Sequence, residues 1–107
     1  MGEDRHASGC DLNGTAGTVR LSGRLVCADA AQSAAVRQHL DTHLRLSRAE
    51  PGCLALEVWQ TEDPLAWRVE ERFACRAAFD AHQRRSRASA WWEATAAIER
   101  DYAIEGG

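Results

Sequence analysis

The chain has 107 residues, 45% of them apolar, with a formal charge of −3, which suits one small domain built around one core. All 13 of its basic residues are arginines, so chemistry that needs a lysine amine, Schiff-base formation above all, is excluded. No apolar run approaches the ~20 residues of a membrane span, residues 1–17 lack the regions of a secretory signal, and arginines scattered along an acidic chain leave no nucleic-acid footprint. A cytoplasmic protein with neither membrane nor nucleic acid as partner is expected. A core this small competes with any sizeable pocket, which makes an oligomer reasonable.

In chain order, residues 1–17 carry four glycines among polar side chains and no periodicity, and are expected to form a mobile arm ahead of a domain over 18–107. Residues 18–28 alternate, with Val19, Leu21, Gly23, Leu25 and Cys27 on one side, which predicts a strand. Asp29 then offers an N-cap to a helix over 30–47, in which Val36, Leu40 and Leu44 recur at four-residue spacing, and Pro51-Gly52 ends it. Strands over 54–61 and 67–73 make a hairpin about Glu62-Asp63-Pro64. A second helix starts near Arg76, breaks between Ser86 and Ser89 and resumes across Trp91, Trp92 and Ala97, and a strand over 100–105 closes the chain. The order βαββαβ predicts a ferredoxin-like α+β fold with an antiparallel four-stranded sheet.

The four cysteines, Cys10, Cys27, Cys53 and Cys75, contain no close metal-type pair, and in a reducing compartment buried free thiols are expected rather than zinc or disulfides. Strand parity puts Trp67, Val69, Glu71 and Phe73 on the face that takes the helices, with Arg68, Glu70 and Arg72 opposite; Glu57 and Trp59 likewise oppose Leu56 and Val58. With the first strand beside the third, Arg24 is expected to pair with Glu70, and Glu57 with Arg68 or Arg72. The pattern alone does not decide whether this charged face meets solvent or a second copy.

Glu71 on the apolar face should resist ionisation, which suits a general acid or base and equally a hydrogen-bonded structural carboxylate. His82 lies three residues after Phe79, on the same helix face, and is the best acid–base candidate. His39 and His43, one turn apart, do not match a metal-binding H-E-x-x-H pattern and are expected to be solvated, leaving no metal site. Trp91 and Trp92 cannot both face the core of a regular helix, so one should line a pocket, pack at an interface or cover the mouth of a cavity. No phosphate loop, nucleophile elbow or dinucleotide fingerprint occurs.

Over about residues 19–104 the chain resembles the antibiotic biosynthesis monooxygenase family of dimeric α+β barrels. Glu50-Pro51-Gly52-Cys53 looks like the family's E-P-G-C turn, Glu71-Arg72-Phe73 like its E-x-W, and the run Ala78 to His82 like its A-x-x-x-H. The resemblance implies a homodimer whose sheets pack together through Arg24, Glu57, Trp59, Arg68, Glu70 and Arg72. It also implies a pocket bordered by Trp67, Phe73, Phe79, Trp91 and Trp92. A small aromatic, quinol or polyketide-like substrate would there be oxygenated with no cofactor, neither metal nor flavin. Proton transfer falls to His82 or Glu71, with an arginine as anion partner. The chain departs from the family pattern at Arg87, where many relatives carry a second histidine, and at Phe73 in place of tryptophan. Gly23, His82 and Trp92 replace the asparagine, tryptophan and histidine of the haem-degrading branch. Two other functions stay open: a dimeric ligand-binding or regulatory module, and an isomerase of a small phosphorylated metabolite.

Overall fold

The structure, a computed structural model, describes residues 17–107. The arm expected ahead of the domain lies, Gly17 apart, outside the described residues, as does Cys10. The elements are β1 (Val19–Val26), α1 (Ala30–Arg48), β2 (Cys53–Gln60), β3 (Ala66–Phe73), α2 (Arg76–Arg87), α3 (Ala90–Thr95) and β4 (Glu99–Gly106). The strands form one antiparallel sheet in the order β2-β3-β1-β4, the ferredoxin-like arrangement with its second helix in two pieces.

Local chemistry sets the joints. The Asp29 carboxylate caps α1 by accepting the Gln32 backbone N–H at 3.0 Å. After α1 the Cys53 N–H donates to the Glu50 carbonyl at 3.2 Å around Pro51 and Gly52, whose φ is 86°. Proline followed by a left-handed glycine is what a type II turn requires. The Ala74 N–H donates to the Gly52 carbonyl at 2.8 Å and so ties this turn to the end of β3. Between α2 and α3 the Ser89 hydroxyl donates to the Ser86 carbonyl at 2.6 Å and accepts from the Trp92 N–H at 3.4 Å. The chain thus restarts as a helix where the serines suggested a break.

The core lies between one sheet face and the helices. Leu21, Leu25, Leu56, Val69 and Phe73 are buried from the sheet side against Val36 of α1, Ala78 and Phe79 of α2 and Trp91 of α3. Burying each larger apolar side chain of this set stabilises by roughly 1.5–3 kcal/mol. Gly23 stands opposite Tyr102 in the β1–β4 register. A Cβ there would lie 2.1 Å from the Asp101 carbonyl oxygen and 2.9 Å from the Tyr102 ring, so the missing side chain is what lets that ring lie across β1.

The other face carries the charged residues where parity puts them, yet the expected cross-strand pairs do not form. Arg24 stands opposite Arg68 and reaches Asp101 at 3.6 Å instead. Glu57 stands opposite Glu70 and pairs with Arg48 at 3.0 Å. Glu70 is held by Arg68, two residues away on β3, and by the Ser22 hydroxyl at 2.8 Å. Alternation fixes the face of a side chain but not its register partner. Trp59 projects from this face with 48% of its surface exposed.

Cys27 and Cys53 are free thiols, and burial pushes both up from the usual thiol range, which keeps them unreactive. Cys75 corrects the free-thiol expectation, because it is disulfide-bonded. Spacing along the chain rules out a local metal pair but is blind to a bond closed by the fold. No helix among the described residues is long and apolar enough to cross a membrane.

Candidate active site

Alternation along β3 turns Glu71 inward beside Val69 and Phe73, where it is 8% exposed. Burial, reinforced by the charge of Glu50 and opposed by Arg100, pushes its carboxyl up from 4.5 to about 7. Its Oε1 is buried without a hydrogen-bond partner.

His82 enters from α2 at 3% exposure, with its ring 5.0 Å from that of Phe73. Its Nδ1 is 2.9 Å from Glu50 Oε1, and its Nε2 is 3.9 Å from Glu71 Oε1. The other oxygen of Glu50 accepts from Arg85 Nε, and Arg85 also donates to Ser47 Oγ at 2.8 Å. A carboxylate only accepts, so the Nδ1 of a neutral His82 carries the hydrogen and its Nε2 offers a lone pair toward Glu71. Burial holds His82 below the usual imidazole range, with Glu50 opposing the shift. The 3.9 Å separation exceeds a hydrogen bond.

Arg100 approaches from β4. Its guanidinium donates to the carbonyls of Thr95 and Ile98 at 2.8 and 3.1 Å and to Thr95 Oγ1 at 2.9 Å, satisfying acceptors at the end of α3. It also bonds Tyr102, whose phenol burial pushes up, and lies 4.8 Å from the Trp92 ring centroid.

These groups border two adjoining spaces. The inner chamber, about 40 Å³, is lined by Glu71, His82, His43, Trp91, Trp92 and Arg100, with Leu21, Val58, Val69, Gln83, Ser86 and Tyr102 completing its wall. The outer groove, about 380 Å³, shares Leu21, Gln83, Trp92, Arg100 and Tyr102 with it and adds Phe79, Asp80, Arg87 and Ile104. The chamber has room for a few waters or one small substituent, whereas the groove is of small-ligand size.

Of the residues singled out in the sequence, Glu71, His82, Trp91 and Trp92 converge on the chamber. Phe79 lines the groove, and Phe73 supports His82 from beneath. Trp67 is on the same sheet face but outside both linings, its indole N–H donating to Ser33 Oγ at 3.0 Å. The open-face residues Arg24, Glu57, Trp59, Arg68, Glu70 and Arg72 line neither space.

His43 is not solvated as the sequence suggested. It is 4% exposed and stacks on Trp91 at 4.3 Å, which drives its pKa down to about 3, chiefly through burial. Among the described residues no three His, Cys, Asp or Glu side chains are grouped to hold a metal. The sequence reading also overlooked Glu50 as the partner of His82, and Arg100 with Tyr102. The alternation of Arg100, Tyr102 and Ile104 in β4 against Leu25, Gly23 and Leu21 in β1 was the available signal.

Fold and site together define a ferredoxin-like α+β protein with a buried carboxylate–imidazole pair at the helix-covered face of its sheet. A sequence model of the antibiotic biosynthesis monooxygenase family matches residues 24–94, and the chain belongs to that family. Among solved structures it is similar to a Mycobacterium tuberculosis protein at 22% identity and TM-score 0.66, over 84% of this chain and 94% of the other. A putative antibiotic biosynthesis monooxygenase from Nitrosomonas europaea gives 23% identity and TM-score 0.64, over 84% and 88%. SnoaB from Streptomyces nogalater, described as a cofactor-independent oxygenase, gives 15% identity and TM-score 0.64, over 86% and 94%. Likeness at these identities shows the fold. No curated protein matches the sequence significantly.

Proposed function

We propose that the protein is a cofactor-independent monooxygenase of a small electron-rich phenol or quinol, with proton transfer carried by His82 and Glu71. The observation that carries this reading is the gap between His82 Nε2 and the unpartnered Glu71 Oε1 on the wall of a chamber that a hydroxyl can enter. Family membership and the cofactor-independent oxygenase among the structural neighbours support it.

A phenolic hydroxyl reaching into the chamber gives its proton to His82 Nε2. Glu50 holds the ring through Nδ1, and the imidazolium formed lies between two carboxylates, Glu50 and Glu71. The Arg100 guanidinium on the chamber wall favours the negative charge left on the substrate. That anion is itself the reductant of oxygen. With an anthrone-like substrate, a ring CH2 gives up four electrons and two protons and becomes C=O. One oxygen atom stays in the new carbonyl, and the other leaves with the two protons as water.

The open sheet face, with exposed Trp59 among the charges of Arg24, Glu57, Arg68, Glu70 and Arg72, is proposed to meet the same face of a second copy. Oxygen uptake by the metal-stripped protein across a panel of hydroquinones and anthrones, with autoxidation subtracted, tests the activity. The reading expects uptake above background with one oxygen molecule consumed per ketone formed. Absence of uptake with every compound would contradict it and favour a binding module.

A further inference from the structure

The inner chamber is too small for a ring system, so a substrate whose hydroxyl reaches Glu71 and His82 must lay its body in the outer groove. The charges of that groove are not equivalent. Asp80 is taken up by Arg76 of the same helix at 3.6 Å. Arg100 gives most of its donors to Thr95, Ile98 and Tyr102, and its charge is shared with the chamber, where it faces the reacting hydroxyl. Arg87, at the last turn of α2, is exposed, makes no ion pair among the described residues, and sits 5.9 Å from the Trp92 ring centroid. One unspent guanidinium therefore stands on the part of the groove wall that the chamber does not share.

We propose that Arg87 is a specificity residue that selects phenolic substrates bearing an anionic substituent, a carboxylate in the first instance, at the end remote from the reacting hydroxyl. The inference rests on the oxygenase reading for the substrate's orientation but not for its test. A guanidinium offers a carboxylate paired N–H donors, and the adjoining indole excludes water from one side of the contact. Specificity then arises from placement: the hydroxyl is fixed at Glu71 and His82 in the chamber, and only an anion carried on the part of the substrate that lies in the groove meets Arg87.

The test uses binding, so that it stands apart from turnover. A dihydroxyanthraquinone carboxylate and its methyl ester are titrated into the protein by tryptophan fluorescence, with Arg87→Gln and Arg84→Gln as variants. Arg84 lies on the same helix, exposed and outside both linings. The acid is expected to bind about tenfold tighter than the ester to the parent. The acid-to-ester ratio should fall to near one in Arg87→Gln and persist in Arg84→Gln. A ratio near one in the parent, one that survives Arg87→Gln, or an equal loss in both variants would overturn the proposal. Failure of oxygen uptake alongside the expected ratios would remove the oxygenase reading and leave the anion subsite standing.

Discussion

Replacing His82 with glutamine is expected to lower kcat for oxygen uptake by about a hundredfold to a ten-thousandfold, the range a positioned general base contributes. Glutamine keeps a donor for Glu50 Oε1 and much of the side-chain volume against Phe73, but it has no lone pair able to take up a proton at neutral pH. KM should move little, because the loss lies in proton transfer and not in the groove. Glu50→Gln acts on the same step from behind. The charge of Glu50 raises His82 against its burial, so removing it should shift the acid limb of the pH–rate profile to lower pH. Parent-like kcat in His82→Gln would place the base elsewhere.

Glu71→Gln is expected to stabilise the protein above neutral pH while impairing turnover. The folded carboxyl titrates at about 7 against 4.5 for the free group, so the folded state holds a proton that the unfolded chain releases between those values. The stability that this proton confers is complete below about pH 4.5 and is lost as the pH rises through about 7. At pH 8 the buried charge costs on the order of 3 kcal/mol, which an isosteric amide avoids. A rise in Tm of roughly 10–20 °C at pH 8, shrinking to about 2 °C or less at pH 4, is the expected calorimetric result. The rate profile of the parent should rise with pH through about 7 as Glu71 ionises and flatten in the variant. Equal Tm at both pH values would show that Glu71 is not a strained carboxylate.

The elements were legible because most carry a local signature: alternation in the strands, the Asp29 cap, the break between Ser86 and Ser89, and the Pro51-Gly52 turn. Glu71 and His82 were legible for the same reason, since parity and three-residue spacing name a face. Parity does not place a residue along the strand, as Trp67 shows. It shares the face of Glu71 but sits four residues along β3, about 13 Å at strand rise, and so belongs to the Ser33 end of the core. The charged face failed similarly, because its pairings depend on register.

Glu50, Arg100 and Tyr102 reach the site from a turn and from the closing strand, through contacts between elements far apart in the chain. His43 was within reach. It lies seven residues after Val36 on α1, the spacing of one helix stripe, and both are buried.

Removal of a proton from a bound phenol by the buried pair can be observed directly. Absorption spectroscopy of a dihydroxyanthraquinone bound under argon, below its own solution pKa, reads that step without turnover. The phenolate spectrum is expected in the parent protein and the neutral phenol spectrum in His82→Gln. A neutral phenol in the parent, or a phenolate that survives the substitution, would contradict proton removal by this pair.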